Sequence, residues 1–170
     1  PSVQEYTIDL IIAGMSPTPE RLETIDFTEA YYESTHVLLV KKDSEYASAK
    51  KLADFAGATV IGQTGTIYAD LVPQAVAAGA VAGNNLATVP LIVNAILNDT
   101  VDATIVEEPV AKGICSQYSN LSYVVLSDGF DVAKEDKVVS IGVRKGYDLT
   151  EEINEVLKNV LTESVRVQLM

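Results

Sequence analysis

Gly14, Ser16 and Arg21 stand close together in the stretch AGMSPTPERLETIDFTEAYY, residues 13–32. A guanidinium fork can donate two parallel hydrogen bonds to a carboxylate. Ser16 adds a hydroxyl, and a glycine lets a bound group approach the backbone. Pro17 and Pro19 stiffen the turn and so lower the entropy lost in fixing these groups. Together they suit one carboxylate. On spacing alone a plainer reading leads: Arg21 lies on the first turn of a helix, solvated and paired with Glu20 or Glu23.

Two further clusters carry polar groups. GQTGTIYAD, residues 62–70, runs from a strand into a helix, and its amides and helix dipole make a candidate anion site. It lacks the Lys-Ser/Thr ending of a nucleotide P-loop. An ordinary capped strand-to-helix turn explains it slightly better. In VEEPV, residues 106–110, Glu107 follows an apolar strand and can accept hydrogen bonds from an ammonium group. Glutamates in a first helical turn also stabilise the helix, so this position has a structural explanation too. Glu107 and Glu108 do not read as an acid–base pair, because sequence neighbours rarely point to one place. A carboxylate receptor and an ammonium receptor together would hold both ends of a free amino acid. That reading requires no nucleophile, base, metal or cofactor.

The elements that position these groups alternate. Strands are expected at Thr7 to Ala13 (buried), 36–42, 58–62, 102–106, 121–126 and 138–144, with a weaker one near Leu86. Helices are expected over AKKLADF capped by Ser48, over 66–79, from Thr88 through VPLIVNAILND, and over 107–118. The last helix begins with a capping box, Asp148 and Glu151, and carries Ile153, Val156, Leu157, Val160 and Leu161 on one face. Such alternation implies an α/β fold with mostly parallel sheet. Ligands then sit beyond strand carboxyl ends and at helix N-termini, which selects 14–21, 63–67, 88–90 and 107–109.

Composition narrows the field. The 170 residues are 48 % apolar, enough for one sizeable domain or two small lobes. With 24 acidic and 12 basic residues the formal charge is −12, which argues against a nucleic-acid partner. The single cysteine, Cys115, and single histidine, His36, exclude Cys/His metal clusters. Cys115 reads as a small buried hydrophobe, and His36 opens a strand with no role assigned. No apolar run reaches the length of a membrane span. The start at Pro1 shows no basic-plus-apolar leader, so any signal sequence is expected to have been removed or never present.

The segments IDLIIAGMSPTPERLETIDFTEAYY, GQTGT, VDATIVEEPVAKG and SIGVRKG, in that order, closely resemble the family 3 extracellular solute-binding proteins. These are the amino-acid receptors of ABC importers. The resemblance implies a periplasmic-binding-protein-like fold: two α/β lobes that close on a ligand. Residues 1–41 and 138–170 would form the first lobe, 42–137 the second, with hinge strands near 36–42 and 138–144.

The same resemblance implies a site. Arg21 would clamp the ligand α-carboxylate, with Gly14 and Ser16 on the ligand backbone. Thr66 and Ile67 would add amide or hydroxyl groups, Gln63 would touch the ligand side chain, and Glu107 would receive the α-ammonium. Many relatives carry aspartate at that last position, so the longer glutamate alters pocket depth. The family's opening strand–helix–strand unit does not precede Pro1. The resemblance therefore implies an N-terminally truncated receptor with an unpaired sheet edge. Ligand binding is then expected to be weak or absent, or restored by a partner chain such as a domain-swapped dimer.

The function this implies is non-enzymatic. The chain would bind a polar L-amino acid outside the cytoplasmic membrane, in a periplasm or lipid-anchored at a surface, and deliver it to the permease subunits. A dehydratase of the prephenate or arogenate type on the same fold is one alternative, with Glu107 or Glu108 as the acid. A ligand-sensing input domain is the other.

Overall fold

Glycines and prolines cut the apolar runs into short elements. The structure, a computed structural model, describes residues 8–33, 35–133 and 137–160. Its strands are β1 (Leu10–Met15), β2 (Ile25–Phe27), β3 (Tyr32–Glu33), β4 (His36–Lys41), β5 (Thr59–Ile61), β6 (Val81–Ala82), β7 (Ala103–Glu107), β8 (Leu121–Val124) and β9 (Val138–Arg144). Its helices are α1 (Pro19–Leu22), α2 (Ile67–Ala77), α3 (Val89–Leu97), α4 (Glu108–Gln117) and α5 (Thr150–Val160). They form two compact units: Pro1–Ser34 with Val132–Met170, and Thr35–Asp131.

In the first unit β9 is the central strand. It pairs antiparallel with β1, β2 and β3. Residues 139–143 are buried throughout, with Val139, Ile141 and Val143 alternating with Ser140 and Gly142 along the strand. Thr28 serves this sheet with its hydroxyl, which accepts from the Ile141 N–H at 3.0 Å. β1 lies at the sheet edge and is not the buried strand expected. Ile12 is 65 % exposed and Leu10 37 % exposed. The strand also runs two residues past Ala13, through Gly14 to Met15, while Thr7 lies outside the described residues. Helix α5 starts at Thr150, and its first turn is set by the Thr150 hydroxyl donating to the Tyr147 carbonyl at 2.8 Å. Among the described residues Asp148 makes no capping bond, and Leu161 lies outside them.

The second unit holds a five-stranded sheet in the order β6-β5-β7-β4-β8. Its sheet is mixed, not mostly parallel: β5 pairs parallel with β6 and β7, whereas β4 runs antiparallel to β7 and β8. Residues 37–40 of β4 are fully buried because both faces are covered. Val37, Leu39, Ile61 and Val106 pack with Ile92, Val93 and Ile96 of α3 and Ala111 and Ile114 of α4. This placement differs from the expected boundaries. The chain leaves the first unit between Ser34 and Thr35 and returns between Asp131 and Val132, so β4 lies wholly within the second unit.

Two other elements differ from expectation. Two 3-10 turns, Glu45–Ser48 and Leu52–Phe55, stand here instead of a helix, and only the second falls within AKKLADF. Asp54 stabilises the second turn by accepting from the Lys50 and Lys51 N–H groups, at 2.8 and 3.0 Å. The strand expected near Leu86 lies at Val81–Ala82, and Leu86 makes only a single bridge, to Gln63.

Candidate functional site

Strand direction decides which polar groups meet in the second unit. β5 and β7 are parallel, so their carboxyl ends reach the same sheet edge. β4 is antiparallel to β7, so its first residue, His36, lies there too. That edge gathers the turn 62–66 after β5, the first turn of α2, Thr88 before α3, and Glu107, the last residue of β7. Three of the four places selected by the strand-end rule thus meet at one edge of one sheet.

The turn after β5 is built around Gly62. A Cβ there would lie 2.4 Å from the Ala69 nitrogen and 2.5 Å from the Tyr68 carbonyl atoms, so only glycine lets the strand end meet the helix. The Gly62 N–H donates to Asn85 Oδ1 at 2.8 Å. Thr66 caps α2: its hydroxyl accepts from the Tyr68 N–H at 3.3 Å and donates to the Gln63 carbonyl at 2.8 Å. The hydroxyl proton is therefore committed. The Ile67 N–H, at the first helical position, has no partner among the described residues. Gln63 Nε2 donates to the Ala87 carbonyl at 3.1 Å, and its Oε1 makes no hydrogen bond among the described residues.

Glu107 is 8 % exposed, in a strand whose five residues are all buried. A carboxylate so placed is costly unless polar or charged groups face it. Glu108, the next residue, points elsewhere. It pairs with Lys112 at 3.2 Å and accepts from the Tyr123 hydroxyl at 3.4 Å. The two glutamates thus do not form a dyad.

The first unit positions Gly14, Ser16 and Arg21 at the carboxyl end of β1. Gly14 lies within the strand, one residue before its end. Ser16 is 5 % exposed, and its carbonyl accepts from the Thr18 N–H at 3.0 Å and from Arg21 Nη1 at 2.8 Å. Among the described residues Arg21 forms no ion pair with Glu20 or Glu23. The turn holds the guanidinium by one corner, on a backbone oxygen. Nearby, the Gly146 N–H and then the Lys145 ammonium hold the Asp26 carboxyl below the usual carboxylate range. Cys115 is half-buried, and burial pushes its thiol up, away from a reactive thiolate.

Sequence reasoning missed His36, Tyr68 and Asn85. His36 reaches this edge through an antiparallel β4–β7 pair that a mostly parallel sheet hides. Asn85 could be suspected only from the need to satisfy a buried strand-end amide.

In both α/β units polar groups stand at strand carboxyl ends, the places where folds of this class commonly hold small ligands. The chain belongs to the bacterial extracellular solute-binding proteins, family 3, whose family model matches residues 1–168. It is 32 % identical over 159 residues to the arginine-binding extracellular protein ArtP of Bacillus subtilis, covering 94 % of this chain and 60 % of that protein. To the ABC transporter glutamine-binding protein GlnH of the same organism it is 29 % identical over 165 residues, covering 96 % and 56 %. Among solved structures, an amino acid ABC transporter substrate-binding protein AbpA from Streptococcus pneumoniae, bound to L-arginine, matches with a TM-score of 0.79. The identity is 27 %, and the match covers 98 % of this chain and 68 % of that one. The chain thus spans about 60 % of the length of the curated relatives it matches. These relatives are binding proteins rather than enzymes.

Proposed function

We propose that this chain supplies amino-acid-binding groups to the receptor of an ABC importer outside the cytoplasmic membrane, periplasmic or lipid-anchored, with the permease subunits as its partner. The observation that carries this reading is the buried Glu107 carboxylate at the same sheet edge as the open Ile67 N–H. One accepts an ammonium and the other donates to a carboxylate, which matches a zwitterion. In the first unit, Arg21 takes the α-carboxylate, with the Ser16 hydroxyl and the Gly14 carbonyl on the ligand backbone. Thr66 acts through its cap, which fixes the Ile67 amide. Gln63 offers its Oε1 to the ligand side chain. The ligand is a polar L-amino acid, with arginine as first candidate because ArtP and AbpA are arginine-binding.

The reading assigns no catalytic group. Among the described residues β1 pairs on one side only, with β9, which supports a partner-completed or domain-swapped dimer, a part of the proposal that a monomeric mass in solution removes. Titration of the isotopically labelled chain with each of the twenty amino acids, read by amide chemical shifts, tests binding into the millimolar range. Saturable shifts at Arg21, Ile67 and Glu107 with at least one amino acid are expected. No saturable shift with any of them overturns the proposal.

A further inference from the structure

His36 is the one histidine in the chain, and its backbone position couples it to Glu107. The two are register partners on β4 and β7. The flanking pair, Thr35 and Glu108, is of the hydrogen-bonded kind, since the Glu108 N–H donates to the Thr35 carbonyl at 2.9 Å. Antiparallel pairs alternate, so His36 and Glu107 form the non-hydrogen-bonded kind, whose Cα atoms approach to about 4.5 Å and whose side chains lie closest. Both project from the same sheet face. His36 is 6 % exposed, and its ring lies 5.9 Å from that of Tyr68, one residue after Ile67. An imidazole therefore opposes the candidate ammonium receptor in register and meets the first turn of α2 at Tyr68.

We infer that His36 is a positioning residue for Glu107, and that its protonation competes with the ligand's ammonium group. The inference rests on the assignment of Glu107 as the ammonium receptor. Neutral imidazole leaves the carboxylate's charge to the ligand. Imidazolium neutralises that charge and repels an incoming ammonium at short range. By linkage, a ligand that binds at Glu107 must expel the His36 proton, so affinity falls as pH drops through the imidazole midpoint. Among the described residues, Tyr68 from α2 meets the His36 ring and Glu107 from β7 opposes it in register. One residue along lie Glu108 and the two groups it engages, Lys112 and Tyr123. No other residue type in this chain has an ordinary side-chain pKa in the range where histidine changes charge, apart from perturbed groups.

The test has two arms on the whole chain. In the first, with no ligand, the imidazole proton shifts of His36 are followed against pH in wild type and in Glu107→Gln. The midpoint is expected to fall by about one pH unit in the variant, because the opposing charge is gone. Identical midpoints overturn the inference, whether or not amino acids bind. In the second, L-arginine affinity is measured from pH 5 to 8 in roughly unit steps, across the histidine range. Wild type is expected to lose about tenfold per pH unit below the midpoint. His36→Gln is expected to lose the acid dependence, whatever its affinity at neutral pH. A variant that retains the wild-type pH profile overturns the inference. A shifted midpoint in the first arm with no amino-acid binding at any pH overturns the competition together with the proposed function.

Discussion

Gly62→Ala should be among the most damaging single-methyl changes in the second unit. The added Cβ meets the Ala69 nitrogen at 2.4 Å and the Tyr68 carbonyl carbon and oxygen at 2.5 Å. Ordinary contact begins at 3.4 Å, so the gap must widen by 3.4 − 2.4 = 1.0 Å. The obstructing atoms are backbone, and no rotamer change removes them. Either the first turn of α2 moves out, or the end of β5 moves and the 2.8 Å bond from Gly62 N–H to Asn85 is lost. Moving α2 disturbs the buried Leu71, Val72 and Ala75. Overpacking of this kind costs about 1–3 kcal/mol, and a backbone obstruction belongs at the upper end. Three kcal/mol is about a hundredfold in the folding equilibrium. Gly113→Ala supplies the control, because nothing lies within 4 Å of a Cβ at this exposed position of α4. That change should stabilise the fold by about 0.5–1 kcal/mol. Urea unfolding followed by circular dichroism reads both. The reasoning fails if Gly62→Ala unfolds at the wild-type midpoint, or if Gly113→Ala is destabilised as much as Gly62→Ala.

Arg21→Ala removes the carboxylate fork and is expected to weaken amino-acid binding by about 3 kcal/mol or more, read by amide-shift titration. Its effect on folding should be smaller, about 1 kcal/mol, because only the bond to the Ser16 carbonyl is lost. Asp26 has a lowered folded pKa, so its contribution to stability is full above the unfolded value and is lost as pH falls through the folded value. Asp26→Asn should therefore flatten the acid limb of the stability–pH curve and leave its alkaline side unchanged, as thermal melts across the acid range would show.

Local chemistry was legible in the sequence, and pairing was not. Gly57 and Gly79, at φ +84° and +110°, end their elements as glycine turns should, and GQTGTIYAD holds a capped strand-to-helix turn with Thr66 as its cap. The stretch around Lys50 failed because Asp54 ties back to its own turn at Lys50 and Lys51 and stops a continuous helix. β1 read as buried because its residues are apolar, but an apolar run does not reveal whether a neighbour covers it. Glu107 was singled out from its place after an apolar run. Its partner His36 was not, since only the antiparallel register of two strands far apart in sequence brings them together. Arg21 shows the opposite case. Spacing favoured a surface ion pair, whereas the turn directs the guanidinium to the Ser16 carbonyl.

The central claim is that one set of groups reads the α-carboxylate and another the α-ammonium of an amino acid. Amide-shift titration of the chain with L-arginine beside agmatine, which lacks the α-carboxylate, tests it most directly. Arginine is predicted to shift Arg21, Ile67 and Glu107 saturably, and agmatine to bind at least about a hundredfold more weakly. Equal affinity for the two compounds, or saturable shifts confined to residues away from these three, would contradict the account.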